Sequence, residues 1–429
     1  MTATTTDNTV DTRRSRADFY FVYIAYALRY LYLLLLIPFF GRVLGVEGYG
    51  VVLAAMSLMT IAWRVVEWGF SPVGMRDIAT ASPSRYSALF GAHASGRLLL
   101  SGLAVVGGGI AIVASPVLSA NPLTGIAAVA LGIVSAFNLG WYFIGSHRPR
   151  SAVKLEVLGF AVSLVLIFAL VRGKGDAHVV MLSLLCSAII ALAVAHWWVR
   201  GEIRPVSLGL KSGAGLIRSS GTIFLYTGSS ALLVASSTYL LGLLAGPAEV
   251  GAFGGAERLV AVGLSVMAPA GQIFLPRVTA LFVSDERAAY ALVRKAMLLL
   301  LAIGCAGLVC SLLLGHWVVP LIFGPGFEGS VAILQCMALL FPINAITLIL
   351  SSYVLIPLHQ ERLLAKVVLI SAAISLLCAV PLGLQYGGIG MAIARIGGET
   401  LVLLGLTFAC WKMGILTRLF TLDSKGHTK

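Results

Sequence analysis

The chain has 429 residues, of which 59% are hydrophobic and only 11% charged, and its mean hydropathy is +0.98. That balance excludes an ordinary water-soluble domain and sets a polytopic membrane protein. The formal charge of +13 would suit nucleic acid in a soluble chain, but here the basic residues gather at span ends, so no nucleic-acid partner is expected.

A helix needs about 20 apolar residues to cross the hydrocarbon core. On that template the sequence predicts twelve spans, near 17–39, 49–73, 87–114, 122–145, 152–172, 177–199, 217–245, 249–275, 294–319, 330–356, 363–384 and 388–412. Long continuous apolar runs exclude a β-barrel, whose strands would alternate. The fold class is therefore an all-α polytopic membrane protein. Residues 1–16 read as a disordered cytoplasmic tail, 17–199 as an N-terminal six-helix lobe and 200–216 as a basic linker. A C-terminal six-helix lobe over 217–412 and a cytoplasmic tail over 413–429 follow.

The first span carries Tyr20, Tyr23, Tyr26 and Tyr30 on one face with Arg29 at its margin. Those rings either form an interfacial belt or stack against sugars, with the guanidinium holding an anion. The span runs to membrane length rather than ending in a cleavage signal, so it is expected to be retained. A glycine-rich turn over Gly41–Gly50 joins it to span two, where Arg64 and Glu67 lie at i and i+3, near enough to pair. Span three holds His93 and Arg97, span eight Glu257 and Arg258, and span twelve Arg395 and Glu399.

The unit Leu44–Asp77 returns 201 positions later: Gly45 falls on Gly246, Gly50 on Gly251 and Arg76 on Arg277. That offset points to a duplicated chain whose halves, with an even number of spans each, are parallel repeats related by a pseudo-two-fold axis around a central cavity. Of the 30 Lys and Arg only Arg42, Arg172 and Lys174 fall in outer segments. The positive-inside rule then places both termini in the cytoplasm.

Arg29, Arg64, Arg97, Arg258 and Arg395 lie within spans, where each costs roughly 2.5–3.5 kcal/mol. Glu67, Glu257 and Glu399 are the acids at comparable depth, either pairing partners or an ion-coupling site. The excess of guanidinium suits an anionic cargo, because Arg offers a planar fork of donors to phosphate at any working pH. No cofactor or metal site is expected. The six cysteines make no CxxC spacing, and no phosphate-binding loop, nucleophile elbow or paired carboxylates point to an enzyme.

Gly69-Phe70-Ser71-Pro72-Val73-Gly74-Met75-Arg76-Asp77-Ile78-Ala79, Trp141-Tyr142-Phe143-Ile144-Gly145, Gly324-Pro325-Gly326-Phe327 and Gly387-Gly388-Ile389-Gly390 resemble the Wzx-type polysaccharide flippases. These belong to the multidrug/oligosaccharidyl-lipid/polysaccharide superfamily. The family pattern usually has Gln where Ile144 stands. The resemblance implies a two-lobe, twelve-helix fold around a cationic cavity and a flippase for a polyprenyl-pyrophosphate-linked oligosaccharide of O-antigen or exopolysaccharide type. It also implies the bacterial cytoplasmic (inner) membrane, contact with membrane lipids, and polysaccharide polymerase and chain-length machinery as partners. Under that reading Arg29, Arg64, Arg97, Arg258 and Arg395, with Tyr26 and Tyr30, bind substrate. The alternative is a cation-coupled drug or small-molecule exporter of the same superfamily, which would need a net acidic interior.

Overall fold

The computed structural model describes residues 5–203 and 208–421. The side chains of 1–27, 29, 30, 33, 225–236, 268, 272, 273, 420 and 421 lie outside the described residues, and with them the expectations for Tyr26, Arg29 and Tyr30. The described residues form helices and no strands. Contacts divide the chain into two compact units, Met1–Leu243 and Leu244–Lys429.

In the first unit, α1 runs from Thr5 to Glu67 and breaks at Gly45, whose φ of +69° suits glycine and strains any L side chain. A one-residue break thus replaces the ten-residue turn expected there. Helix also begins at Thr5, inside the tail read as disordered, because extending an existing helix costs far less than starting one. A second break at Trp68 and Gly69, both with positive φ, leads into α2 (Phe70–Thr80). Then come α3 (Tyr86–Ala114), α4 (Pro122–Ala136), α5 (Gly140–Gly145), α6 (Pro149–Leu170), α7 (Ala177–Val199) and α8 (Leu210–Leu244). The span expected over 122–145 is interrupted because the Asn138 side chain accepts from Gly140 N at 2.7 Å and makes a local turn.

Helix α3 shows how the unit meets its solvent. Leu100, Ala104, Gly108 and Ile112 form a buried stripe, while Leu103, Val106, Ile110 and Val113 are exposed. A helix apolar on both faces belongs in lipid. Inside, small residues let backbones approach: a side chain at Gly132 of α4 would meet the Met59 carbonyl of α1 at 2.6 Å.

Helix α8 packs within the first unit. Trp68 stacks on Phe224 at 4.0 Å and donates from Nε1 to the Ile217 carbonyl at 3.0 Å, and the Tyr239 hydroxyl donates to the Ala111 carbonyl at 2.6 Å. For that reason the division by contacts falls at Leu243/Leu244 and not in the basic segment 200–216.

The second unit comprises α9 (Pro247–Ser265), α10 (Ala268–Ser284), α11 (Glu286–Phe323), α12 (Glu328–Met337) and α13 (Leu340–Leu348), continued by a π-helical segment over Ile349–Leu355. After these come α14 (Glu361–Lys412) and α15 (Ile415–Thr421). Helix α14 breaks at Gly387 (φ +55°), beside Glu249, whose carboxylate accepts from Gly388 N at 2.8 Å. Tyr290, Ile349, Tyr353 and Leu406 form the core together with Ile415 and Leu419 of α15. The segment read as a C-terminal tail therefore contributes a packed helix, because its i, i+4 apolar pair has a surface to cover.

Among the described residues nine helical stretches are long and apolar enough to cross a membrane, by length and composition. The protein is a multi-pass membrane protein.

Candidate functional site

Two places hold the charged residues singled out by the sequence, one in each unit. In the first, the α1–α2 break decides what Glu67 does. Its carboxylate accepts from Gly69 N at 2.9 Å and Ser71 N at 2.8 Å, so it satisfies the open backbone donors that begin α2. The expected Arg64–Glu67 pair does not form among the described residues. Both carboxylate oxygens already serve the backbone, while the Arg64 guanidinium lies 4.3 Å over the Trp63 ring and its Nε is buried without a partner.

Arg97 of α3 is 2% exposed. Its Nε donates to the Ala136 carbonyl at the end of α4 at 2.7 Å, one of the acceptors a helix terminus leaves open. Its guanidinium stands 5.5 Å from Phe70 and 5.6 Å from Trp141, and Nη2 has no partner. Glu67 is the acid whose charge acts on it. Arg97 is thus enclosed within the unit, in contrast to the accessible substrate-binding position expected from sequence. His93, one turn earlier, stacks on Trp141 at 4.5 Å and makes no hydrogen bond. Among the described residues no cluster of three or more His, Cys, Asp or Glu could hold a metal.

Beside this frame is a cavity of about 570 Å³ bounded by α1, α2, α4, α5, α6 and their turns. Glu67, Ser71, Ser135, Asn138 and Glu156 give it polar walls, and Trp63, Trp141 and the exposed Ile144 give it apolar ones. At the basic end of the unit Arg148 donates through both Nη atoms to Glu202 at 2.7 Å each, and the Tyr142 hydroxyl donates to the same carboxylate at 2.5 Å. Those bonds from Arg148 hold the Glu202 carboxyl below the usual carboxylate range, and the same bonds raise Arg148.

In the second unit Arg395 pairs with Glu257 of α9, and Glu257 therefore bridges two helices. The sequence spacing suggested Glu399 as partner; Arg395 also acts on Glu399 through space, one turn along α14. Arg258 has no hydrogen bond or ion-pair partner among the described residues.

Sequence reasoning missed Asn138, Ser135 and Glu156 as cavity residues. Asn138 was the readable one, since an Asn two residues before a Gly in an apolar run marks a side-chain-capped turn.

The described residues thus form a multi-pass helical membrane protein with buried, incompletely paired arginines. The likeness to solved structures agrees with that fold. One is titled "Lipid II flippase MurJ, inward closed conformation", with TM-score 0.69 and 14% identity over 96% of this chain and 94% of that one. Another is an inward-facing multidrug resistance MATE family transporter, with TM-score 0.58 and 16% identity over 92% of this chain and 99% of that one. Two curated relatives, each named "Putative O-antigen transporter", are 24% identical. The one from Escherichia coli (strain K12) aligns over 90% of this chain and 94% of its own length, and the one from Shigella dysenteriae over 89% and 96%. The pattern of the family described as "Polysaccharide biosynthesis protein" matches residues 16–282, and the chain belongs to that family.

Proposed function

We propose that the protein is a flippase. It carries a polyprenyl-pyrophosphate-linked oligosaccharide, an O-antigen or exopolysaccharide repeat unit, from the inner to the outer leaflet of the bacterial cytoplasmic membrane. The relatives named as O-antigen transporters and the flippase fold support the transport class, which is not an enzyme's.

The observation that carries the chemistry is the state of the arginines. Arg64 and Arg258 sit in apolar helices without a carboxylate partner among the described residues. An unpaired guanidinium held in such a place favours an anion, and a pyrophosphate is the anion this substrate class offers. In this reading Arg29, Arg64 and Arg258 hold the pyrophosphate in a cationic, wet interior during alternating access. Arg97 and Arg395, tied to a helix carbonyl and to Glu257, shape that interior.

Twelve spans in two related halves fit this reading. The breaks at Gly45 and Gly387 turn α1 and α14 into two spans each, and in this reading α8 opens the second half. The basic segments put both termini in the cytoplasm, and the flipped unit would pass to polymerase and chain-length machinery outside.

The test is reconstitution into liposomes holding a fluorescent polyprenyl-pyrophosphate oligosaccharide in one leaflet, read by a membrane-impermeant quencher. Transfer is expected with the wild-type protein and is expected to fall strongly in Arg29→Ala and Arg258→Ala. Transfer unchanged in both variants would refute the cationic site, and small-cation efflux without lipid transfer would favour the exporter.

A further inference from the structure

Arg64 and Arg97 both lie against aromatic rings in the first unit, yet their guanidinium groups are presented differently. Arg97 is enclosed, with Nε bound to the Ala136 carbonyl. Arg64, in the last turn of α1, is half-buried. Its Cζ lies 4.3 Å from the centre of the Trp63 ring, and Nε is the one guanidinium nitrogen that is buried without a partner. Nη1 and Nη2 are therefore open, and neither has a hydrogen-bond partner among the described residues. With Nε closed off, this arginine can meet an anion end-on, through both Nη atoms, a fork that matches two oxygens of a phosphate.

We infer that Trp63 is a positioning residue: its indole holds the Arg64 guanidinium so that both Nη atoms form a ready fork for the pyrophosphate group of the lipid-linked substrate. The inference rests on the flippase reading and adds to it what orients one of the arginines.

Three observations support it. The ring is set by packing that does not involve Arg64. Gly132 brings α4 so close to α1 that a side chain there would meet the Met59 carbonyl at 2.6 Å, the Ala62 Cβ at 2.9 Å and the Trp63 nitrogen at 3.0 Å. Ala62, Val66, Ala104 and Ala136 form a buried cluster, and Trp63 packs against it with Ile133 and Phe137. Second, adjacent positions on a helix do not face each other, so the contact exists because the long arginine stem bends back across the indole. A tryptophan face is the strongest aromatic seat for a cation, and removing it frees the guanidinium to sample its many rotamers. Third, the nearby carboxylate does not take its place: Glu67 spends its oxygens on Gly69 N and Ser71 N. Ordering Arg64 before the ligand arrives removes part of the entropy that binding would otherwise cost.

The experiment uses the full-length protein in detergent and two probes. One is polyprenyl pyrophosphate bearing no sugar, and the other is the matching polyprenol, which has the tail and lacks the charge. Trp63→Leu removes the ring face and Trp63→Phe keeps a weaker one. Calorimetry should show affinity for polyprenyl pyrophosphate falling about five- to thirtyfold in Trp63→Leu and by less in Trp63→Phe, with polyprenol bound as before. In an Arg64→Ala background, itself weakened, the Trp63 substitutions should have no further effect, which a merely packing role would not produce. Should Trp63→Leu not fold, Trp63→Phe with and without Arg64→Ala carries the same comparison. Trp63 or Arg64 variants that bind polyprenyl pyrophosphate like wild type would overturn the inference. So would equal losses for both probes, or a Trp63 effect that persists without Arg64, because either makes the ring a packing residue. Inorganic pyrophosphate bound as tightly as the lipid, with the same dependence on Trp63, would assign the fork to free anions and overturn it too. Leaflet transfer separates the two readings. Transfer by wild type while pyrophosphate affinity ignores Trp63 sinks only this positioning, and the expected affinities without any transfer of the lipid-linked oligosaccharide sink the flippase.

Discussion

Removing the Glu67 side chain tests the reading of the α1–α2 break most sharply. Its carboxylate serves Gly69 N and Ser71 N, and the residue is 7% exposed. Ala at a capping position costs about 0.5–2 kcal/mol, and hydrogen bonds to a charged group are worth about 1.5–3 kcal/mol each. Allowing water to reach one freed donor, Glu67→Ala should destabilise the first unit by about 2–4 kcal/mol. That is a fall of roughly 5–10 °C in unfolding temperature. Glu67→Gln keeps one oxygen for one N–H and should recover about half of the loss. Arg64→Ala should cost under about 1 kcal/mol, because the guanidinium holds no carboxylate. The double mutant should then be additive to within about 0.5 kcal/mol. The assay is thermal unfolding of the purified variants in one detergent, followed by tryptophan fluorescence. A coupling energy between positions 64 and 67 well above that limit would show that they pair and that the cap is secondary. Equal losses from the Ala and Gln substitutions would show that the backbone donors do not depend on this side chain.

The other predictions concern single contacts. Arg395→Ala removes the ion pair with the largely buried Glu257 and should cost about 2–4 kcal/mol, much of it regained in the double mutant with Glu257→Gln, as read by detergent melting. Gly387→Ala places a Cβ at positive φ and 2.8 Å from Glu249 Oε2, and should lower stability by about 1–3 kcal/mol or depress the folded yield. The Glu202 carboxyl is held down by Arg148, so its contribution is present above the unfolded carboxylate value of about 4.3 and is lost as pH falls through the lower folded value. Proteolysis of the segment after α7 should accelerate on acidification in wild type, and should be fast and pH-independent in Glu202→Gln.

Much of the fold was legible because a bilayer reduces sequence reading to the length of apolar runs. Expected limits such as 87–114 and 177–199 match Tyr86–Ala114 and Ala177–Val199 to a residue. The reading missed breaks where local backbone chemistry interrupts a run without changing its hydropathy. Trp68-Gly69 splits the helix of the second span, and Asn138 turns the fourth, whose limits Pro122–Gly145 nonetheless match the expected ones, and an apolar count cannot see a side chain that caps a turn. It failed again in pairing acids with bases. Spacing of i and i+3 makes Arg64–Glu67 and of i and i+4 makes Arg395–Glu399 the natural pairs. In the structure Glu67 turns to the backbone and Arg395 to another helix, alternatives that only the packed fold supplies.

Those two reassignments bear on transport. Three acids for five membrane-embedded arginines is a modest imbalance on paper. Glu67, however, has both oxygens engaged by N–H groups, which leaves its charge to act through space on the enclosed Arg97 and provides Arg64 with no contact partner. Glu257 pairs with Arg395, and Arg258 beside it in sequence has no acidic partner among the described residues. On the flippase reading, the arginines left for a phosphate are therefore Arg64 of α1 and Arg258 of α9, neither of which has a carboxylate partner among the described residues.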